Sequence, residues 1–557
     1  MTYELDGALF ARMIRSGATN VRNNAQTVNE LNVFPIPDGD TGDNMSRTIE
    51  GGASCISDTD GADISAVADG VAHGMLLSAR GNSGVILSQF FEGVRAGLVG
   101  KRSATVGEFK TALESGVRQA YSAVVQPTEG TVLTVMREAS EAVKTVDDGA
   151  DFETFFDKYI DELYSSLDRT PDLLPVLRES GVIDSGGAGF VYIAEGMRRA
   201  LIGENYDASA HAEHTSEVAA TASAEADKFT ADSEMKFGYC TELIVQLMNC
   251  KTDAEKYDVK TLIEYLEGMG GESIVAFKTG TRIKLHVHTF EPDKVMEYCR
   301  SIGEFVAVKV ENMSVQHTEA VVRNRFERQT PKKPERKKYA TVAVADGAGL
   351  IEQFKSLGAD CVVDGKQTMN PSTMDFLTAF DEANADVIFV LPNNSNIVMA
   401  ANQAAELYER SEVIVIESKT LAEGYSAMSM HDYSSDDAEQ IRAAFDEAIS
   451  GVTTGLISYS IRDCSMSGRK IAKGDFLGIA DKELLSCSPD IVKAACELID
   501  KIDKTEKSVM IAMRGKEFAD DCATAAIAAY VNERYPDIEF YDFDGGQDVY
   551  SYIFVVE

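Results

Sequence analysis

The sequence predicts a multidomain chain: an all-α N-terminal domain, a ferredoxin-like α+β middle domain and an α/β C-terminal region. Three observations lead there. At 557 residues the chain is too long for one hydrophobic core, given about 100–200 residues per domain. Two breaks in composition interrupt it. Across them the apolar pattern changes, from the 3.6-residue period of helices to strands alternating with helices.

Residues 1–204 carry the helical pattern. Leu9, Met13 and Ile14 fall on one face near the start, and long Ala/Leu/Val-rich stretches follow between glycine turns. Residues 205–233 are small and acidic, with little to bury, and read as a linker. In residues 234–322, FGYCTELIVQL is strand-like and DVKTLIEYLEGMG is a helix with a glycine stop. SIVAFKTGTRIKLHVHTF is two strands about a turn, EPDKVMEYCRSIG a helix with proline in its first turn, and FVAVKVEN a closing strand. That order, β-α-β-β-α-β, is the ferredoxin-like plan. Residues 323–338, RNRFERQTPKKPERKK, gather positive charge and two prolines and read as a solvated tether. Residues 339–557 alternate strands (ATVAVAD, DVIFVLP, EVIVIES, SVMIAMR) with helices, which predicts a substantially parallel sheet, with a division near residue 450.

Composition narrows the function classes. Hydrophobic residues make up 44% and charged residues 26%, as in a globular protein. No apolar run approaches the roughly 20 residues of a membrane span, and the N-terminus lacks a secretory signal, so a cytoplasmic location is expected. A net charge of −37 repels duplex nucleic acid and removes it from the expected partners. The cysteines number nine, odd and irregularly spaced, which fits reduced thiols.

The chemistry concentrates in four loops of the first domain. NVFPIPDGDTGDNM, from Asn32 to Met45, places Asp38 and Asp40 on either side of a glycine. Two carboxylates at that spacing suit one hard cation such as Mg²⁺, whose remaining ligands come from water and phosphate. Solvated aspartates in a turn are the plainer alternative. Three further Gly/Ser/Thr clusters each run into a helix: Ser78 to Gly84, Pro127 to Thr131, and Val182 to Gly187. Helix N-termini present backbone N–H groups and a positive dipole end to phosphate. Neither a Walker A lysine nor G-x-G-x-x-G is present, which sets aside the P-loop and Rossmann plans.

These four motifs, in this order, resemble the ATP-binding subunit of dihydroxyacetone kinases. The N-V-F-P-x-P-D-G-D-T-G run and the whole-chain architecture more closely resemble the A subunit of bacterial fatty acid kinase. The resemblance implies ATP and two Mg²⁺ ions, with Asp38 and Asp40 as catalytic metal ligands and Asn32 where dihydroxyacetone kinases carry a third carboxylate. It also implies that Thr41, Asn44, Ser83 and Gly84 line the phosphates and that Thr131, Asp184 and Gly186 surround the nucleotide. Asp43 departs from the pattern, standing where a small neutral residue is expected; exposure to solvent is the favoured reading. His73, the sole histidine before the linker, reads as structural.

In the middle domain, Cys240 lies on the first strand and His286 and His288 lie two apart on the third, its expected neighbour. Such a set suits zinc with a fourth position open, although lone strand histidines are more often structural. The resemblance implies that these positions are used; Cys299 and His317 are outside candidates. In the C-terminal region, Asn393, Asn394, Ser395 and Asn396 follow a strand, where they either cap a helix or meet a ligand. The family implies partner docking there, including the Gly545-Gly546-Gln547 ending, and a homodimer.

The function expected is an ATP-dependent kinase that phosphorylates a fatty acid carboxylate presented by a separate acyl-binding protein, giving an acyl phosphate. Two alternatives are a dihydroxyacetone-type kinase acting on a small polyol or ketone, and a non-catalytic ATP-binding sensor or scaffold. The C-terminal region holds one histidine, His431, which weighs against a self-contained ketone kinase.

Overall fold

The computed structural model describes residues 2–33, 39–56, 63–203, 239–254, 256–279, 281–312, 336–365, 369–430, 433, 437–466, 468–517 and 520–557. Asp38, His317, His431, the acidic linker and all but the end of the basic tether lie outside them. The described residues fall into two compact units. One comprises those of Met1–Tyr206, Lys337–Ala379 and Ala385–Glu557; the other comprises those of Asp207–Arg336 with Phe380–Asn384.

In the first unit, the regular structure described within residues 5–201 is helical, with a 3-10 turn at Val143–Thr145, apart from a two-residue ladder between β1 (Leu5–Asp6) and β2 (Ser103–Ala104). The α-helices follow in order: α1 (Gly7–Asn23), α2 (Ala25–Asn29), α3 (Thr41–Ser54), α4 (Ile64–Ser78), α5 (Gly81–Leu98), α6 (Val106–Ser122), α7 (Val132–Ala142), α8 (Phe152–Leu173), α9 (Pro175–Ser180) and α10 (Ser185–Leu201). Leu9, Met13 and Ile14 of α1 are buried, as their spacing predicts. Edge-on rings fill the centre, with Phe109 5.8 Å from Phe152 and 5.9 Å from Phe155. Gly42 belongs to the first turn of α3, where a Cβ would lie 2.2 Å from the Ala25 carbonyl oxygen. The glycine therefore admits the close approach of α2.

The C-terminal part of this unit holds two larger sheets. Strands β7 (Lys337–Ala345), β8 (Cys361–Asp364), β9 (Ala385–Leu391) and β10 (Glu412–Val415) form a parallel sheet in the order β10-β9-β7-β8. From residue 453 a six-stranded sheet follows, made of β11 (Thr453–Tyr459), β14 (Phe476–Ala480), β15 (Glu483–Ser488), β16 (Val509–Arg514), β17 (Glu539–Asp544) and β18 (Tyr552–Val556). A small hairpin of β12 (Cys464–Met466) and β13 (Arg469–Ile471) interrupts the sequence. The expectation of a substantially parallel sheet holds for the first sheet only. In the second, β16 and β17 run parallel, whereas the ladders β11–β14, β11–β18, β14–β15 and β16–β18 are antiparallel. A two-residue turn at Asp481 (φ 50°) and Lys482 (φ 63°) joins β14 to β15, the left-handed pair that a tight hairpin requires.

The second unit contains β3 (Tyr239–Leu247), helix Val259–Gly268, β4 (Glu272–Thr279), β5 (Arg282–Thr289), helix Pro292–Ile302 and β6 (Gly303–Asn312). The sheet is antiparallel, in the order β4-β5-β3-β6, and both helices supply buried apolar residues to its core. Among the described residues, no helix is long and apolar enough to cross a membrane.

Candidate functional site

The four loops singled out in the sequence each end at a helix N-terminus. Asp40, Arg80, Thr131 and Asp184 are the residues preceding α3, α5, α7 and α10. These four ends surround one cavity of about 460 Å³, within the range of nucleotide-sized ligands. Asn32, Asp40, Thr41, Asn44, Ser83, Thr131, Asp184 and Gly186 line it together.

Asp40 is almost wholly buried. Its carboxylate accepts a hydrogen bond from Asn44 Nδ2 at 3.0 Å and another from Asn370 Nδ2. The Thr41 hydroxyl donates to Asn32 Oδ1 at 3.0 Å, and Asn32 Nδ2 donates to the Asn29 carbonyl at 2.8 Å. Asn29 also closes the start of α3, accepting the Gly42 N–H at 2.7 Å. Its amide donates to Asp43 at 2.9 Å, and Asp43 is exposed and absent from the cavity wall. Gly84 is likewise absent from the wall. A Cβ there would lie 2.4 Å from Thr48 Oγ1, so this glycine brings α5 close to α3. His73 sits in α4, away from the lining.

Asp184 serves two helices. Burial pushes its carboxyl up to about 6, while the backbone N–H groups of Gly187 and Val132 pull it down. The Gly187 N–H lies 2.6 Å from Oδ2. Those two donors belong to the first turns of α10 and α7, so one carboxylate holds both ends at the cavity. The third loop is anchored from behind. Burial opposes ionisation of Glu129, but bonds from Thr134, Arg137 and Tyr121 lower its pKa overall.

Apolar side chains form part of the wall: Leu31, Val33, Ile86, Val124, Val132, Leu133, Leu174 and Leu177. Pro175 disfavours a helical Leu174, whose ψ of 100° ends α8. That break delivers Leu174 and Leu177 to the cavity. Among the described lining residues there is no lysine or arginine. The donor set is hard oxygen and amide, which fits Mg²⁺ and phosphate bound together. The sequence motifs do not include Asn82, Gln126, Thr128 and Ser185 among the expected contacts, and they leave Asn396 between two roles; all five line the cavity. Asn393 is structural, with φ of 59°, its Nδ2 on the Val344 carbonyl and its Oδ1 accepting from Ser418.

In the second unit, β3 and β5 pair so that Cys240 lies opposite His288 and Glu242 opposite His286. The side chains of Cys240, His286 and His288 lie outside the described ones. Cys299 is buried in the apolar core, where burial pushes its thiol up to about 12, and such a thiol is a poor metal ligand. Among the described residues, no group of three His, Cys, Asp or Glu is placed to hold a metal.

Comparison with known proteins gives a consistent result along the chain. Residues 35–199 match a DAK2 domain, residues 236–320 match the FakA-like middle domain of fatty acid kinase, and residues 340–557 match its FakA-like C-terminal domain. Protein YloV of Bacillus subtilis (strain 168) is 38% identical over 99% of both chains. An uncharacterized protein of Staphylococcus epidermidis is 35% identical, and one of Staphylococcus aureus (strain USA300) is 34% identical, each over 100% of both chains. Among solved structures, a DegV family protein from Corynebacterium glutamicum is similar at a TM-score of 0.29 and 12% identity, covering 39% of this chain and 96% of its own.

Proposed function

The chain belongs to the FakA-like family of fatty acid kinase proteins, and on that premise we propose that it transfers the γ-phosphate of ATP to a fatty acid carboxylate held by a separate acyl-binding protein. The observation that carries this reading is the convergence of four helix N-termini on one cavity whose described lining has no basic side chain. A polyphosphate there would meet backbone N–H groups and dipole ends, and Mg²⁺ would supply the countercharge.

A fatty carboxylate is already ionised near neutral pH, so the reaction needs no strong base. A carboxylate oxygen forms a bond to the γ-phosphorus, the bond from that phosphorus to the bridging β–γ oxygen breaks, and ADP leaves with the electron pair. Acyl phosphate is the product. Positioning and charge neutralisation then supply most of the rate. Asp38, Asp40 and Asn32 would hold two Mg²⁺ ions, and Thr41, Asn44 and Ser83 would orient the phosphates, with Gly84 admitting the close approach of α5 to α3 behind them. Thr131, Asp184 and Gly186 would orient the nucleotide, with Leu174 and Leu177 on its apolar side.

The same reading places the protein in the cytoplasm as a homodimer, docking its acyl-binding partner through the C-terminal region. It also assigns zinc to Cys240, His286 and His288, supported by the pairing of Cys240 with His288. Metal analysis of the purified chain and of a Cys240→Ser variant tests that assignment. For the reaction itself, the test is trapping of acyl phosphate with hydroxylamine in the presence of ATP, Mg²⁺ and fatty acid. Hydroxamate forming only when an acyl-binding protein is added supports the two-component reading. Its absence under every pairing, with ATP still bound, overturns the acyl assignment.

A further inference from the structure

The C-terminal region contributes directly to the wall of this site. Asn370 lies between β8 and the helix Thr373–Ala383, is 4% exposed, and donates from Nδ2 to Asp40 Oδ2, 330 residues away in sequence. The residues behind α5 hold it there. Arg80 Nη1 donates to the Asn370 carbonyl at 2.7 Å, Arg80 forms an antiparallel bridge with Ser372, and the Thr373 N–H meets the Ala79 carbonyl at 3.2 Å. A second contact lies at the turn that carries Asn32. The Arg462 guanidinium donates to the carbonyl of Glu30 and, at 2.8 Å, to that of Asn32. Asn396, from the same region, lines the cavity.

The choice of an amide is informative. A lysine or arginine on Asp40 would cancel the charge that a divalent cation needs. A neutral amide fixes the carboxylate's orientation and leaves its charge intact. Partners of this kind behind a metal-binding carboxylate change metal affinity by about 10–100-fold.

We infer that Asn370 is a positioning residue for Asp40, so that the nucleotide site is complete only with the C-terminal region seated on the acidic loop. The inference rests on the nucleotide reading given above, and it gives that region a role at the kinase centre besides partner docking.

The test uses the full chain and reads the rise in Tm caused by ATP as Mg²⁺ is titrated. Wild type is expected to show a Mg²⁺-dependent rise. Asn370→Ala should need about tenfold more Mg²⁺ for half the effect, with its ligand-free Tm nearly unchanged. Asn370→Asp replaces the donor with a second carboxylate facing Asp40, so it too should need more Mg²⁺ than wild type for half the effect. Should Asn370→Ala fail to fold, Arg462→Ala carries the test through a raised half-saturating ATP concentration. An unchanged Mg²⁺ requirement in Asn370→Ala overturns the positioning role. A lower Mg²⁺ requirement in Asn370→Asp than in wild type also overturns it, because the new carboxylate would then be acting as a ligand. Absence of any Mg²⁺-dependent stabilisation in wild type overturns the nucleotide reading itself, and this inference with it.

Discussion

Thr41 Oγ1 donates to Asn32 Oδ1 at 3.0 Å and accepts from Ser185 Oγ at 3.3 Å. One hydroxyl thus ties the turn after α2, the start of α3 and the start of α10 into a single rim. The rim is polar but uncharged, as suits a wall that orients phosphate without competing for its charge.

Thr41→Val keeps the shape of this side chain and removes the link. With a hydrogen bond worth about 1 kcal/mol, ATP affinity should fall about fivefold with little change in Tm. Isothermal titration with ATP and Mg²⁺ measures it, and an unchanged affinity would mean the rim is not a nucleotide contact.

Asp184 gives a pH signature of definite sign. Its folded-state pKa of about 6 stands above the ordinary 3.8, so the folded chain holds this proton more tightly than the unfolded chain. Its contribution to stability is therefore full below about pH 4 and is lost as pH rises towards and through 6. Asp184→Asn keeps a capping oxygen and cannot titrate. Relative to that variant, wild type should lose about 1–2 kcal/mol between pH 4 and 7, less than two buried units would carry because the side chain borders the cavity. Urea denaturation over that range checks both sign and size.

Gly42→Ala should destabilise by about 1–3 kcal/mol, because its Cβ would meet the Ala25 carbonyl at 2.2 Å, and that is backbone, unable to rotate away. The start of α3 would shift with it, so ATP binding should weaken too. Thermal melts with and without nucleotide separate the two effects.

The four loops are legible in the sequence because each joins glycine or a small polar residue directly to a helical run, a local signal that survives without tertiary context. Asn370 and Arg462 carry no such signal; only the folded chain brings Asn370 to Asp40 and Arg462 to Asn32. Gly84 reads as a phosphate glycine, yet the structure gives it a close helix approach to accommodate, as it does Gly42. The antiparallel second sheet is hidden for a similar reason. Its hairpin turn uses Asp481 and Lys482 in left-handed geometry without the Asn-Gly or Asp-Gly pair that announces one. On β3 and β5, period-two alternation puts His286 and His288 on one face of a strand, and the β-α-β-β-α-β order makes that strand the neighbour of the one bearing Cys240, as the pairing of Cys240 with His288 shows.

The central claim is that the cavity at the ends of α3, α5, α7 and α10 directs phosphate from ATP to a carboxylate. Its most direct test is transfer of the γ-phosphate of labelled ATP to a fatty acid bound to an acyl-binding protein, comparing wild type with Asp40→Asn. The expected result is label in acyl phosphate with wild type and a loss of at least about 100-fold with Asp40→Asn, while its fold is retained. Transfer at wild-type rate by Asp40→Asn, or label reaching no fatty acid although ATP binds, would contradict it.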